Sequence, residues 1–283
     1  MQKMVKWGSV NTMNNLFFIV VLYNKNFEQS KTCTHLHKIN KKYFSNIIIL
    51  DNSTVSNDVS KNCLSFGWNY ISMNGNKGLT SAYNKGIDFI KNHCSYSDTD
   101  IVILLDDDTD ITNDYIISLE HASFEHNDIN IFIPRIVSDT GELISPSRYT
   151  PYKNYKLKKL SSVNINNILA INSCLAIRLC IFNDYVYNSN LFLDYVDSQF
   201  FYDMRKRNEN FYLLDSEIVH SFFMKSNNDY FKEINRMRIL KKDYRAFVKD
   251  KSFLEKFLYF PRIVFWKIRG FLKYRKISYF FDF

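Results

Sequence analysis

The chain has 283 residues, is 46% hydrophobic and 23% charged, and carries a formal net charge of +8. That length can bury a full core, and the balance of apolar and charged residues excludes a disordered or fibrous chain. The 5 cysteines (Cys33, Cys63, Cys94, Cys174 and Cys180) form no C-x-x-C pair, which argues against a disulfide framework or a zinc site and for reduced thiols.

The first dozen residues are polar and irregular, and Met13 is a candidate translation start. Leu16 to Tyr23 reads as a buried central strand. It is short and leads into an ordinary strand–loop pattern, which argues against a secretory signal. Asn24 to Asn26 ends it as a loop. Residues 28–42 carry Leu36 and Ile39 in helical spacing and read as one surface helix. Ile47 to Leu50 is a second buried strand, ending abruptly at Asp51-Asn52-Ser53. Strand, helix and strand within about 35 residues fit a βαβ unit and a parallel sheet.

Trp68 to Ser72 reads as a third, short strand. The stretch Asn74 to Ile87 then holds three glycines, a residue used where backbone must turn with positive φ or approach something closely. It runs into a helix through Ile90. Its amides are placed either to meet a phosphate or sugar at a helix N-terminus or simply to turn the chain. No G-x-G-x-x-G fingerprint is present, which argues against a nicotinamide enzyme.

Ile101 to Leu105 is five apolar residues, rich in β-branching, running straight into Asp106, Asp107 and Asp108. The apolar run has the character of a strand buried on both faces. In open α/β sheets ligands sit at the carboxyl ends of strands. Three adjacent carboxylates either form a solvated turn or hold a hard divalent cation carrying phosphate oxygens.

A helix is expected near residues 113–120 and a strand over 129–137, with Pro134 marking an edge or a strand end. Residues 138–168 are polar and rich in Tyr and Lys, and read as a long excursion forming a loop over the site. Residues 168–179 are apolar, with Asn172, Ser173 and Cys174 embedded. Leu191 to Tyr202 leads apolar residues into Asp194 and Asp197, three apart, and then a helix through about Arg207. On a helix that spacing puts both carboxylates on one face, while an Asp at a helix start is also a common N-cap. Residues 211–214 read as a strand, and His220 falls at an element's end.

Lys and Arg concentrate after about residue 232. From Lys249 onward Leu254, Phe257, Leu258, Val264, Phe265, Ile268, Phe271 and Leu272 keep helical spacing, interrupted at Pro261, between Lys256, Arg262, Lys267, Arg269, Lys273, Arg275 and Lys276. A basic, aromatic, amphipathic segment suits an anionic membrane surface; the other reading is a terminal helix packed on the domain with a solvated basic face. No stretch reaches the roughly 20 apolar residues of a spanning helix. The positive charge also raises nucleic acid as a partner. That reading leaves the acidic clusters unexplained, and no helix-turn-helix or ribonucleoprotein motif accompanies it.

In order, the strand into Tyr23-Asn24, Leu50-Asp51-Asn52-Ser53, Asn76-x-Gly78-x-x-x-Ala82-x-Asn84-x-Gly86, Leu105-Asp106-Asp107-Asp108, Phe192-Leu193-Asp194-Tyr195-Val196-Asp197 and His220 resemble the family 2 glycosyltransferases of GT-A fold. The likeness is to the rhamnosyltransferase-like members of polysaccharide and O-antigen biosynthesis, over residues 14–222. It implies an α/β, Rossmann-like, mostly parallel central sheet flanked by helices. A GT-A domain would span 14–225, followed by a C-terminal helical, basic and aromatic, membrane-associating extension over 226–283.

The resemblance further implies inverting transfer of a sugar from a nucleoside diphosphate donor, with Mg²⁺ or Mn²⁺ as cofactor. dTDP-rhamnose is the favoured donor, followed by UDP-hexoses. A polyprenyl-diphosphate-linked saccharide is the implied acceptor, on the inner face of a bacterial cytoplasmic membrane. Asp197 takes the base position, with Asp194 on the acceptor side as its competitor. Tyr23, Asn24, Asp51, Asn76, Lys77, Gly78, Asn84, Asp106 and Asp107 fall on the donor side, and Asp106, Asp108 and His220 on the metal. Thr80, Ala82 and Asn172-Ser173-Cys174 depart from the usual small residues of the pattern, which leaves donor and acceptor identity open.

Overall fold

The computed structural model describes residues 14–150, 154–157, 167–219 and 230–275. His220 lies outside them.

The main sheet runs in the order β11-β5-β10-β4-β1-β2-β3, with β6 paired to β5. Its strands are β1 (Leu16–Leu22), β2 (Ile47–Asp51), β3 (Asn69–Ser72), β4 (Ile101–Asp106), β5 (Ile131–Val137), β6 (Leu143–Ser145), β10 (Leu175–Arg178) and β11 (Phe211–Val219). β3, β2, β1 and β4 are parallel, as is β11 beside β5. β10 is antiparallel to both β4 and β5. The expected mostly parallel α/β architecture is the one observed.

The order β3-β2-β1-β4 reverses direction at β1, so the crevice lies outside the carboxyl ends of β1 and β4. Register brings the acidic ends level: Val21 sits opposite Asp106 and Leu22 opposite Asp51. Alternate residues of β1 serve two cores. Phe17, Ile19 and Val21 pack with α3 (Leu79–His93), while Leu16, Phe18, Val20 and Leu22 pack with α1 (Lys31–Leu36) and α4 (Asn113–Glu125). All seven β1 residues are buried, which is why the run shows no polar alternation. Gly86 lets α3 lie close to the sheet, because a Cβ there would stand 2.8 Å from Ile19 Cδ1.

Three local expectations change, and one helix is unanticipated. The helix expected over 28–42 is instead a 3₁₀ turn (Phe27–Gln29), the short α1 capped by Ser30, and a second 3₁₀ segment (Lys41–Asn46). Burial of Phe27, Leu36, Ile39 and Phe44 takes precedence over one continuous helix. Pro134 is not on an edge strand. It sits inside β5, after the pairing with β10 has ended at Phe132, and beside a register shift in β11, so no regular ladder needs its missing N–H. The 138–168 excursion carries β6 and part of a second sheet of β7 (Ser147–Arg148), β8 (Tyr155–Lys156) and β9 (Ile168–Leu169), ordered β8-β7-β9. Helix α2 (Val59–Phe66), closed by Gly67 at φ 73, gave no clear signal in the sequence.

Among the described residues the C-terminal segment is two helices, α6 (Tyr230–Lys249) and α7 (Phe253–Tyr274), and Lys276 lies outside those residues. Pro261 does not interrupt α7. Tyr244, Phe247 and Tyr259 join the same core cluster as one face of the sheet. The boundary expected near 225 falls outside the described residues, and the packing on its two sides is continuous. No described helix is long and apolar enough to cross a membrane.

Candidate active site

A cleft of about 590 Å³ opens at the carboxyl ends of β1 and β4. Its lining includes Tyr23, Asn52, Asn76, Gly78, Asp106, Asp107, Asp108 and Asn172, together with Phe192 to Asp197 and Arg236. Both expected carboxylate groups therefore face one space. Buried Tyr83 lies near enough to feel both Asp106 and Asp197; burial, then those charges, push its phenol well above the usual range.

The three adjacent aspartates differ in environment. Asp107 accepts the Tyr23 N–H at 3.1 Å and the Lys25 ammonium at 2.5 Å, so it ties the end of β1 to the end of β4. Burial raises its carboxyl, against the pull of Lys25. The turn beneath is held by its carbonyls: Ser30 Oγ donates to Asp107 O at 2.8 Å and Thr32 Oγ1 donates to Asp106 O. Asp106 and Asp108 supply hard oxygen ligands on either side of this anchored residue, the donor chemistry a Mg²⁺ or Mn²⁺ ion takes. Among the described residues, no three His, Cys, Asp or Glu side chains cluster as a complete metal site. Two carboxylates alone would leave a Mg²⁺ or Mn²⁺ ion short of the about six oxygen ligands it takes.

The glycine-rich segment does something other than present free amides. Gly78, at φ 87, precedes α3, and a Cβ there would stand 2.7 Å from Phe192 O and Phe192 Cδ2. The Leu79 N–H donates to Phe192 O at 2.6 Å, and Thr80 Oγ1 donates to Leu191 O. The close approach is to the loop at Phe192, so the first amide of α3 is already engaged. Asn52, to which the sequence motif assigns no role, donates to Gly78 O and accepts from Lys77 N–H, both at 3.1 Å. Asn76 lines the cleft and accepts the Gly78 N–H at 3.1 Å.

Other donor-side expectations fall behind the lining. Asp51 is buried and accepts from Ser53 N–H, Asn57 Nδ2 and Tyr70 Oη at 2.7–2.9 Å. Burial alone would raise its carboxyl; those hydrogen bonds outweigh it and hold it below the usual range. Asn24, at φ 51, accepts the Thr54 N–H at 2.8 Å and fixes the neighbouring loop. Asn84 clamps the backbone of Tyr187, donating to its carbonyl and accepting its N–H at 2.9 Å. Neither Asn84 nor Lys77 is among the cleft's lining residues.

On the other side, α5 (Val196–Lys206) begins only after Asp194, so the two aspartates do not share a helix face. Tyr195, in the left-handed region at φ 61, makes the turn, and Asp197 lies in the first helical turn rather than at the cap. Its Oδ1 accepts the Ser198 N–H at 2.7 Å. Burial pushes the Asp197 carboxyl up to about 6, opposed by that N–H and reinforced by Asp194. Asp194 makes a two-pronged ion pair with Arg236 of α6, one arm at 2.6 Å. Arg236 is the single cation among the described lining residues, although in sequence it reads as part of a basic tail.

The model of the family described as Glycosyl transferase family 2 matches residues 17–186. The chain belongs to glycosyl transferase family 2. Its enzymatic class is therefore glycosyltransferase. The match ends before Asp194 and Asp197.

No curated protein matches this family 2 sequence. Solved structures share the fold at low identity. GalNAc-T7 with UDP, GalNAc and Mn²⁺ aligns with a TM-score of 0.55 at 13% identity, covering 82% of this chain and 48% of that one. The chain thus spans about half the length of that relative. S. aureus TarS 1–349 aligns at 0.51 with 14% identity, covering 87% and 78%. Mannosyl-3-phosphoglycerate synthase from Rubrobacter xylanophilus aligns at 0.53 with 10% identity, covering 85% and 77%.

Proposed function

We propose that this glycosyltransferase moves a sugar from a nucleoside diphosphate donor to a saccharide hydroxyl, with inversion and with a divalent metal. The observation that carries the reading is that Asp106, Asp107, Asp108 and Asp197 all line one cleft. Asp106 and Asp108 would hold Mg²⁺ or Mn²⁺, which offsets the charge gathering on the leaving diphosphate. Two fold relatives support that pairing: GalNAc-T7 holds UDP and Mn²⁺, and the Pyrobaculum calidifontis mannosyltransferase PcManGT holds GDP-Man and Mn²⁺.

Asp197 is the base. Its carboxyl near 6 is ionised at neutral pH yet basic enough to take a proton in the transition state. The acceptor hydroxyl passes its proton to Asp197, its oxygen bonds the anomeric carbon, and the bond to the diphosphate oxygen breaks on the opposite face. Asp194 is a poorer base, because a proton would have to displace the Arg236 guanidinium.

dTDP-rhamnose is the leading donor, on the likeness of Phe192 to Asp197 to rhamnosyltransferase-like sequences. A UDP-hexose is the second reading, favoured by the UDP bound to GalNAc-T7. The test is release of nucleoside diphosphate across a donor panel with Mn²⁺ and lipid-linked or oligosaccharide acceptors. Release with no donor sinks the reading, and release with one names it.

The acceptor is read as lipid-linked or part of a growing cell-surface polysaccharide, reached from the cytoplasmic face of a bacterial membrane. Helix α7 supports this. It packs Tyr259, Ile263 and Trp266 on the core, yet Phe253, Phe257, Phe260, Phe265 and Leu272 stay 57–87% exposed on another face. A second apolar face flanked by Lys256, Lys267 and Arg269 suits the interface of an anionic bilayer. Deleting α7 would also strip the core of Tyr259, so substitution is the cleaner test. Replacing Phe257 and Phe260 with Ser should lower partitioning onto anionic vesicles about tenfold or more, as loss of two buried aromatics implies; unchanged binding removes the membrane from the reading.

A further inference from the structure

Asp243 lies in the middle of α6 and is fully buried. A buried carboxylate is costly unless hydrogen bonds replace its water. Here they come from one place: Phe192 N–H donates to Oδ1 at 2.9 Å, and Leu193 and Asp194 N–H both donate to Oδ2 at 2.8 Å. Three successive amides of a loop converge on one side chain about 50 residues later in the chain. The Phe192 peptide is gripped from its other end too, since its carbonyl accepts the Leu79 N–H at 2.6 Å. The loop therefore bridges α3 of the donor side and α6 of the C-terminal hairpin. Asp194 is held again through its side chain by Arg236. The next residue, Tyr195, is stacked on Phe247 at 4.9 Å and edge-on to Tyr244 at 5.6 Å, both from α6. Asp197 follows two residues later.

We propose that Asp243 is a positioning residue for transfer: from α6 it fixes the backbone of Phe192, Leu193 and Asp194, and thereby sets where Asp197 meets the acceptor hydroxyl. The inference rests on the reading of Asp197 as base. It makes the hairpin a working part of the active site rather than an appendage. A base displaced by about 1 Å loses most of its advantage, while a donor bound mainly through β1, β4 and a metal is little affected.

The test is Asp243→Asn in the full-length chain, a substitution that keeps volume and removes the charge. Amides 192–194 should exchange with deuterium at least tenfold faster, with β1 amides unchanged. The kcat should fall about 10- to 100-fold, the effect of losing charge-assisted hydrogen bonds. Affinity for dTDP or UDP with Mn²⁺ should stay within about twofold, since the donor is held mainly through the ends of β1 and β4 and the metal. Unchanged exchange, unchanged kcat, or a donor affinity that falls in step with kcat would overturn the proposal. Should Asp243→Asn fail to fold, Arg236→Gln removes the second tether at a partly exposed position; faster exchange at Asp194 with a smaller drop in kcat supports the proposal, and no change in either refutes it. The exchange arm needs no substrate. A chain that transfers no sugar but shows the exchange change loses the function reading, not the tether.

Discussion

The two walls of the cleft are built by different means. The donor wall hangs on the ends of β1, β2 and β4, parallel strands whose register sets Asp106 opposite Val21 and Asp51 opposite Leu22. Its ties are local to that sheet edge: Asp107 to Lys25 and Tyr23, and Asn52 to Lys77 and Gly78. The acceptor wall is a loop whose backbone amides are satisfied by Asp243 and whose side chain Asp194 is satisfied by Arg236, both from a helix far along the chain. A wall made of strand ends is rigid because the sheet is. A wall made of a tethered loop is only as rigid as its tethers.

The largest expected effect separates the walls most cleanly. Asp197→Asn should lower kcat about 10³-fold, the scale of a lost general base, with affinity for UDP or dTDP and Mn²⁺ unchanged. Substituting Asp106 or Asp108 with Asn should do the converse: donor affinity falls about 10- to 100-fold with Mn²⁺ present, the scale of a lost metal ligand or partner, and the difference from wild type vanishes in chelator. If either variant shows the other's signature, the division between the walls is wrong.

A third change strikes the seam between them. Gly78→Ala places a methyl against Phe192 and forces a side chain into φ 87. It should cost about 1–3 kcal/mol of unfolding free energy, measured by denaturant titration, and raise acceptor KM more than donor KM. The smallest effect is on stability. Burial raises the Asp197 carboxyl above its unfolded value, so its folded form binds the proton more tightly. Its contribution therefore favours folding as pH falls from about 6 toward about 4, and opposes it above 6. Asp197→Asn should accordingly gain about 1–2 kcal/mol of stability at pH 7, even as it loses turnover.

Much of the donor wall was legible in the sequence, and little of the acceptor wall's support was. Buried parallel strands declare themselves as unbroken apolar runs, and a run such as Ile101 to Leu105 ending in three aspartates fixes where the strand leaves the core. Asp194 and Asp197 were visible as a pair, but not their separation by the left-handed Tyr195, because positive φ at a tyrosine follows from tertiary packing on Phe247 and Tyr244. Asp243 stood in a run of Lys and Arg that reads as a solvated basic face. Nothing local says that its carboxylate turns inward to meet three amides from the 192–194 loop. β10 was hidden for the same reason: four residues paired antiparallel to strands more than 40 positions away leave no periodic signature. Pro134 and Pro261 misled because local rules for proline yield where the neighbouring backbone leaves its N–H position unpaired or where tertiary packing holds a helix on both sides of it.

The central claim, that an acceptor-side carboxylate with a raised pKa takes the proton, is tested most directly by the pH dependence of kcat in the wild-type enzyme at saturating donor, acceptor and Mn²⁺. The account predicts a single acid limb with an apparent pKa near 6, the value of the Asp197 carboxyl, and a plateau above it. A rate that stays flat between pH 5 and 7 with chemistry rate-limiting, or one that rises as the solution becomes more acidic, would contradict it.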